Sequence, residues 1–174
     1  MEFIWLVHRI LKLIMSDESS GKTQDWVDNL EQSLQTAFPS IRRAREKTGA
    51  HRSQLLRTFS GTISADTSLV VFGSIAREEV TSGSDSDWIL LIDGQSSPEH
   101  LNQEHTIADE LARSGIPKPG RSGIFGRMIG SHDIVHEIGG EDDTNSNTTR
   151  RVLLLLESWP IGSREAYDRV RRQI

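Results

Sequence analysis

Asp85 and Asp87, separated by one serine, stand at the head of the apolar run Trp88 to Ile92. Gly73 and Ser74 close the preceding apolar run, Leu69 to Phe72, and residues 75–84 separate the two features. Side chains alternate along an extended segment, so residues i and i+2 project to the same side. The two carboxylates therefore converge, and they repel unless a cation stands between them. Hard oxygen donors select Mg²⁺, which takes one or two carboxylates together with substrate phosphates. Gly73, having no Cβ, lets the backbone turn closely. Ser74 then opens an expected short helix, Ser74 to Glu79, whose free N–H groups and hydroxyl form a phosphate cradle. The pattern predicts a site for metal ions and a nucleoside triphosphate.

GSIAREEVTSGSDSDW resembles the signature of the DNA polymerase β-like nucleotidyltransferase superfamily: Gly-Ser or Gly-Gly, a short spacer, then Asp-x-Asp on a strand. The nearest pattern is that of the nitrogen-regulatory uridylyltransferases, with Gly73, Arg77, Glu79, Ser84, Asp85 and Asp87 in register without a gap. The resemblance implies an α+β fold, a small mixed sheet flanked by helices. It also implies transfer of a nucleoside monophosphate from an NTP to a hydroxyl-bearing acceptor, with release of pyrophosphate. Gly73, Ser74, Arg77 and Ser84 would bind the nucleotide. Asp85 and Asp87 would hold the metals, two Mg²⁺ ions with Mn²⁺ as a substitute, by two-metal phosphoryl chemistry. The superfamily usually carries a third catalytic carboxylate on a later strand. Asp133 is the first candidate and Glu137 the second. Without one, the fold would serve as a nucleotide-binding regulatory or toxin–antitoxin module with little catalysis. A polar hairpin and a Ca²⁺ loop are the competing readings of the same stretch, and the latter lacks the final Glu of an EF-hand.

Other residues carry paired readings. Arg77 and Glu79 form either a phosphate or acceptor contact or a surface ion pair. Lys118, Arg121 and Arg127, in the Gly- and Pro-rich segment 116–131, either clamp phosphates or decorate a loop. Arg42, Arg43, Arg45, Lys47, Arg52 and Arg57 form a solvated face or a phosphate-facing flank. Arg150 and Arg151 are expected at a helix start, unfavourable for cations, with Glu141, Asp142 and Asp143 as structural partners. His132 and His136 have helical spacing in a segment, HDIVHEIG, whose pattern favours a strand, so zinc is disfavoured. Trp88 reads as core rather than as a base-stacking platform.

The elements that must position these residues follow from periodicity. Residues 24–58 read as helix interrupted at Pro39, with Trp26, Leu30, Leu34 and Phe38 as an apolar stripe. Residues 97–115 read as helix, with Leu101, Ala108, Leu111 and Ala112 on one face. Residues 148–158 read as a helix buried on more than one side, and 163–174 as the start of another. Residues 24–140 would form the nucleotidyltransferase domain and 144–174 the beginning of a truncated second one. Within 1–22, Ile4, Val7, Leu11 and Ile14 have helical spacing. That segment is a docking helix, a membrane-surface helix, or the product of a misassigned start upstream of Met15; it is too short and charged to span a bilayer.

The chain of 174 residues has no cysteine and a net charge of -5. Thiolate metal sites and cysteine nucleophiles are excluded, and a reducing cytoplasm is the expected compartment. The acidic balance opposes DNA and long RNA as partners, leaving a protein or small molecule as the expected acceptor.

Overall fold

The computed structural model describes residues 25–120 and 123–174. The expectations for residues 1–22, and the role of Arg121, lie outside the described residues. The chain divides into two units, with the boundary between Arg43 and Ala44.

In the first unit, helix α1 (Trp26–Leu34) is capped by Asp25, whose carboxylate accepts the Val27 N–H at 3.0 Å. Gln35, at φ 50°, ends it. The stripe expected from Trp26 to Phe38 is therefore broken: Trp26 and Leu34 are exposed and Val27 is the buried residue. Glu31 binds the Phe38 N–H and the Arg42 guanidinium, setting the start of α2 (Pro39–Phe59).

The second unit is built on four strands: β1 (Thr67–Phe72), β2 (Trp88–Ile92), β3 (Arg127–Gly130) and β4 (Ser158–Gly162), in the order β3-β2-β1-β4. β1 pairs antiparallel with β2 and β4, and β2 pairs parallel with β3. Every residue of β1 and β2 is buried, the mark of central strands covered on both faces. Leu69, Val71, Trp88 and Leu90 meet Leu55 and Phe59 of α2 and Ile107 and Leu111 of α3 (Pro98–Arg113) on one face. Val70, Phe72, Ile89 and Leu91 meet the other layer: α4 (Ser131–Val135) through Ile134, α5 (Asn145–Leu156) through Leu154, and α6 (Arg164–Gln173) through Tyr167 and Val170. This is the α+β architecture expected.

Three expectations are corrected. HDIVHEIG is not a strand; β3 ends at Gly130, and Ser131 begins α4 with Asp133 in its first turn, where a carboxylate suits the helix dipole. The buried face of α3 is His100, Ile107 and Leu111, while Leu101, Ala108 and Ala112 are exposed. The run Val152 to Leu156 is buried on one side only, at Leu154, with Val152, Leu155 and Leu156 exposed. Residues 144–174 lie within this unit: β4 is an edge strand of the same sheet, and α5 and α6 cover one face. The unexpected strand contains Pro160, which an edge position tolerates.

The two ends of the sheet differ. At one end lie the last residue of β1 and the first residues of β2, β3 and β4. At the other, a polar network ties the strands to α3 and α6. The Thr67 hydroxyl meets Gln103 at 3.0 Å, His100 Nε2 faces Asp66 at 3.2 Å, and Arg169 Nε donates to Asp93 at 2.6 Å.

Candidate active site

The carboxylate pair sits at the first of these ends. Phe72 donates its N–H to the Asp87 carbonyl at 3.0 Å, extending the β1–β2 ladder one residue past the strand. Ser86 is buried like Trp88, so Asp85 and Asp87 face the other way, as the alternation predicts. Both flank Gly120. Its N–H reaches Asp87 Oδ1 at 3.4 Å, and a Cβ on it would stand 3.7 Å from Asp85 Oδ2. Burial pushes the Asp87 carboxyl above the usual aspartate range, the Gly120 N–H partly opposes this, and the Asp85 charge reinforces it. Such a pair gains from a bound cation. The donors are hard oxygens, and the chain has no cysteine, which fits Mg²⁺ or Mn²⁺.

Gly73 and Ser74 follow β1 directly, beside the pair. Gly73 adopts φ +61°, the left-handed region that favours glycine, and nothing lies within 4 Å of the Cβ it lacks. The expected helix 74–79 is a single turn instead. Arg77 N–H bonds Gly73 O at 2.9 Å, Glu78 then enters the left-handed region at φ +64°, and Glu79 N–H returns to Ser74 O at 2.8 Å. Ile75 and Val80 anchor the turn in the core. The N–H groups of Ser74, Ile75 and Ala76 have no acceptor among the described residues. Ser84 closes the next turn, its hydroxyl accepting the Thr81 N–H at 2.9 Å just before Asp85.

Arg77 is held by two carboxylates, Glu157 and Glu79, which raise its pKa, Glu157 more strongly. Glu157 had no signal in the sequence: it reaches the site because Ser158 pairs with Phe72 across the sheet. On the basic face of α2, Arg45 and Arg52 both grip Glu78, at 2.9 Å each.

Asp133 is not brought to the pair. Parallel pairing sets Gly130 beside Ile92, five residues from Asp87, or about 17 Å along the strand at ~3.3 Å per residue. Asp133 and Glu137 instead line a cavity of about 560 Å³ along the β3 edge with Glu104, Arg127, Asp142 and Arg150. Among the described residues no group of three His, Asp or Glu side chains is placed to hold a metal. His132, on α4, and His136, its C-cap, do lie together, ring centroids 5.2 Å apart.

The buried arginines divide. Arg151 is chelated by Asp143, Nη2 lying 2.7 and 2.6 Å from its two oxygens, as expected of the acidic segment. Arg150 meets neutral acceptors, Ile124 O at 2.9 and 2.8 Å and Asn147 Oδ1 at 2.9 Å. α5 begins at Asn145, earlier than expected, so neither arginine occupies its first turn. Trp88 is core, and it also floors a cavity of about 270 Å³ with Ile116, Pro117, Lys118 and Pro119.

Residues 39–122 match the model of the family described as Putative nucleotidyltransferase DUF294. The matched segment is consistent with a polymerase β-like nucleotidyltransferase. It runs from α2 through the Gly73 turn and the Asp85–Asp87 pair to the loop after α3. The chemistry of such a nucleotidyltransferase is group transfer from a nucleotide substrate. No curated protein and no solved structure matches the chain. Among the described residues no helix is long and apolar enough to cross a membrane.

Proposed function

We propose that the chain transfers a nucleoside monophosphate from an NTP to the hydroxyl of a small-molecule, nucleotide or protein acceptor, with Mg²⁺ or Mn²⁺ held by Asp85 and Asp87. The observation that carries this reading is the placement of the carboxylate pair across one strand pairing from the Gly73–Ser74 turn, with Phe72 N–H bonded to Asp87 O. The acceptor oxygen attacks the α-phosphorus as the bond to the β-bridging oxygen breaks. Pyrophosphate leaves and the hydroxyl proton passes to solvent or a site carboxylate. The metal, when bound, would polarise the phosphate and steady the leaving group. The N–H groups of Ser74, Ile75 and Ala76, without acceptors among the described residues, would orient the triphosphate.

The β3-edge cavity supports an acceptor site. Arg127, at its near end, is opposite Ile89 and on the same sheet face as Asp87, about 8 Å away from strand spacing and rise. Four carboxylates line it, which disfavours a polyanion such as long RNA.

A second reading, nucleotide binding with little transfer, is favoured by the lack of a third carboxylate beside the pair among the described residues. The test uses each NTP labelled at the α-phosphate, with Mg²⁺ or Mn²⁺ and a cell extract as acceptor source. Label transferred by wild type and not by the Asp85→Ala, Asp87→Ala double variant supports transfer. Metal-dependent NTP binding without transfer supports the second reading. If the variant matches wild type in both, the site assignment is wrong.

A further inference from the structure

The basic face of α2 reaches the phosphate turn through one side chain in particular. Arg52 Nε donates to Ile75 O at 3.0 Å, Nη2 to Ala76 O at 2.8 Å, and Nη1 to Glu78 Oε1 at 2.9 Å. Its guanidinium also stacks on the Trp159 ring at 4.9 Å. Arg45 holds the other Glu78 oxygen at 2.9 Å, and Thr48 Oγ1 accepts the Val80 N–H at 3.1 Å. Positions 45, 48 and 52 share a helix face, and together they grip residues 75–80 from one side.

The peptide geometry gives that grip a direction. In a trans peptide the C=O and N–H point oppositely. Drawing Ile75 O toward α2 therefore turns the Ala76 N–H away from α2. That N–H and those of Ser74 and Ile75 are the ones left without acceptors among the described residues. Glu78 supplies a second, independent sign. A non-glycine residue at φ +64° is strained, and such backbone persists where surrounding contacts over-determine it. Here the contacts are the two arginines on its carboxylate.

We infer that Arg52 is a positioning residue for the nucleotide: its fork orients the Ala76 N–H toward the triphosphate, and steadies the turn that carries those of Ser74 and Ile75, without touching the nucleotide. This rests on the nucleotidyl-transfer reading above. A lysine at position 52 keeps the charge but lacks the planar fork needed to hold two carbonyls and a carboxylate at once. The same residue in a purely structural role would change the folded fraction and leave the affinity of folded molecules alone.

The experiment measures NTP binding, KM, kcat and melting temperature for wild type, Arg52→Lys, Glu78→Gln, and an Arg164→Gln control at the exposed start of α6. For Arg52→Lys, the KM for NTP is expected to rise about tenfold with kcat little changed, the pattern of lost ground-state binding. Amide exchange should quicken at 74–79 and not across β1 and β2. Arg164→Gln should behave as wild type. An Arg52→Lys protein with wild-type KM overturns the inference. So does one whose kcat falls at constant KM together with the melting temperature. Should Arg52→Lys fail to fold, Glu78→Gln loosens the same guanidinium, and an unchanged KM there overturns the inference equally. Wild type that binds no NTP overturns the nucleotidyl-transfer reading itself, and this role falls with it; the wild-type measurement therefore separates the two failures.

Discussion

Asp87 combines half-burial, a neighbouring carboxylate and one long hydrogen bond, so without a cation its charge destabilises the fold. Asp87→Asn removes that charge at nearly constant shape. The variant is expected to melt higher than wild type in chelator, to lose the stabilisation that Mg²⁺ gives wild type, and to lose transfer by a hundredfold or more, about 3 kcal/mol of barrier. Thermal scans with and without Mg²⁺, beside the transfer assay, check all three. Sequence spacing located this pair, because alternation along a strand needs no tertiary information. It could not locate Glu157 or Gly120, which arrive by pairing across the sheet and by a loop after α3.

At the scale of elements, β4 and α5 carry the sharpest expectations. Gly162, the last residue of β4, has φ +91°, and a Cβ there would stand 2.2 Å from Ile63 Cγ2. Gly162→Ala should cost about 3 kcal/mol, combining left-handed strain with overpacking, read as a lower urea midpoint at unchanged slope. On α5, the Arg151 guanidinium holds the Asp143 carboxyl below the usual aspartate range. A carboxyl depressed by folding stabilises the protein above its unfolded pKa and loses that contribution as pH falls through the folded value. Asp143→Asn should therefore lower the melting temperature at neutral pH, and the two melting curves should converge in acid. The strands β1 and β2 were legible because continuous apolar runs of strand length are hard to read otherwise. β4 was not, since its proline disqualifies an interior strand and only its edge place makes it tolerable. Residues 131–135 form a helix where the sequence pattern suggests a strand, because a short apolar segment fits both periods.

At the scale of the whole sheet, the proposed function separates two tasks: the Gly73 turn and carboxylate pair at one strand end, and the acidic cavity along the β3 edge. Glu137→Gln, inside that cavity, is expected to raise the KM for the acceptor several-fold while leaving the KM for NTP unchanged; two substrate titrations decide it. The overall α+β layering was readable from the sequence, but the position of Asp133 was not. Parallel pairing of β2 with β3 sends the residues after Gly130 to the far end, and nothing local records that direction. That far end, fastened by Thr67, His100, Asp93 and their partners, has a practical consequence. Gln95 and Ser96 are exposed there, between β2 and α3, and the chain has no cysteine. A Ser96→Cys substitution would create a unique thiol, so the molecule can be tethered or given a fluorophore at one defined point with the Asp85–Asp87 end of the sheet facing away from the surface.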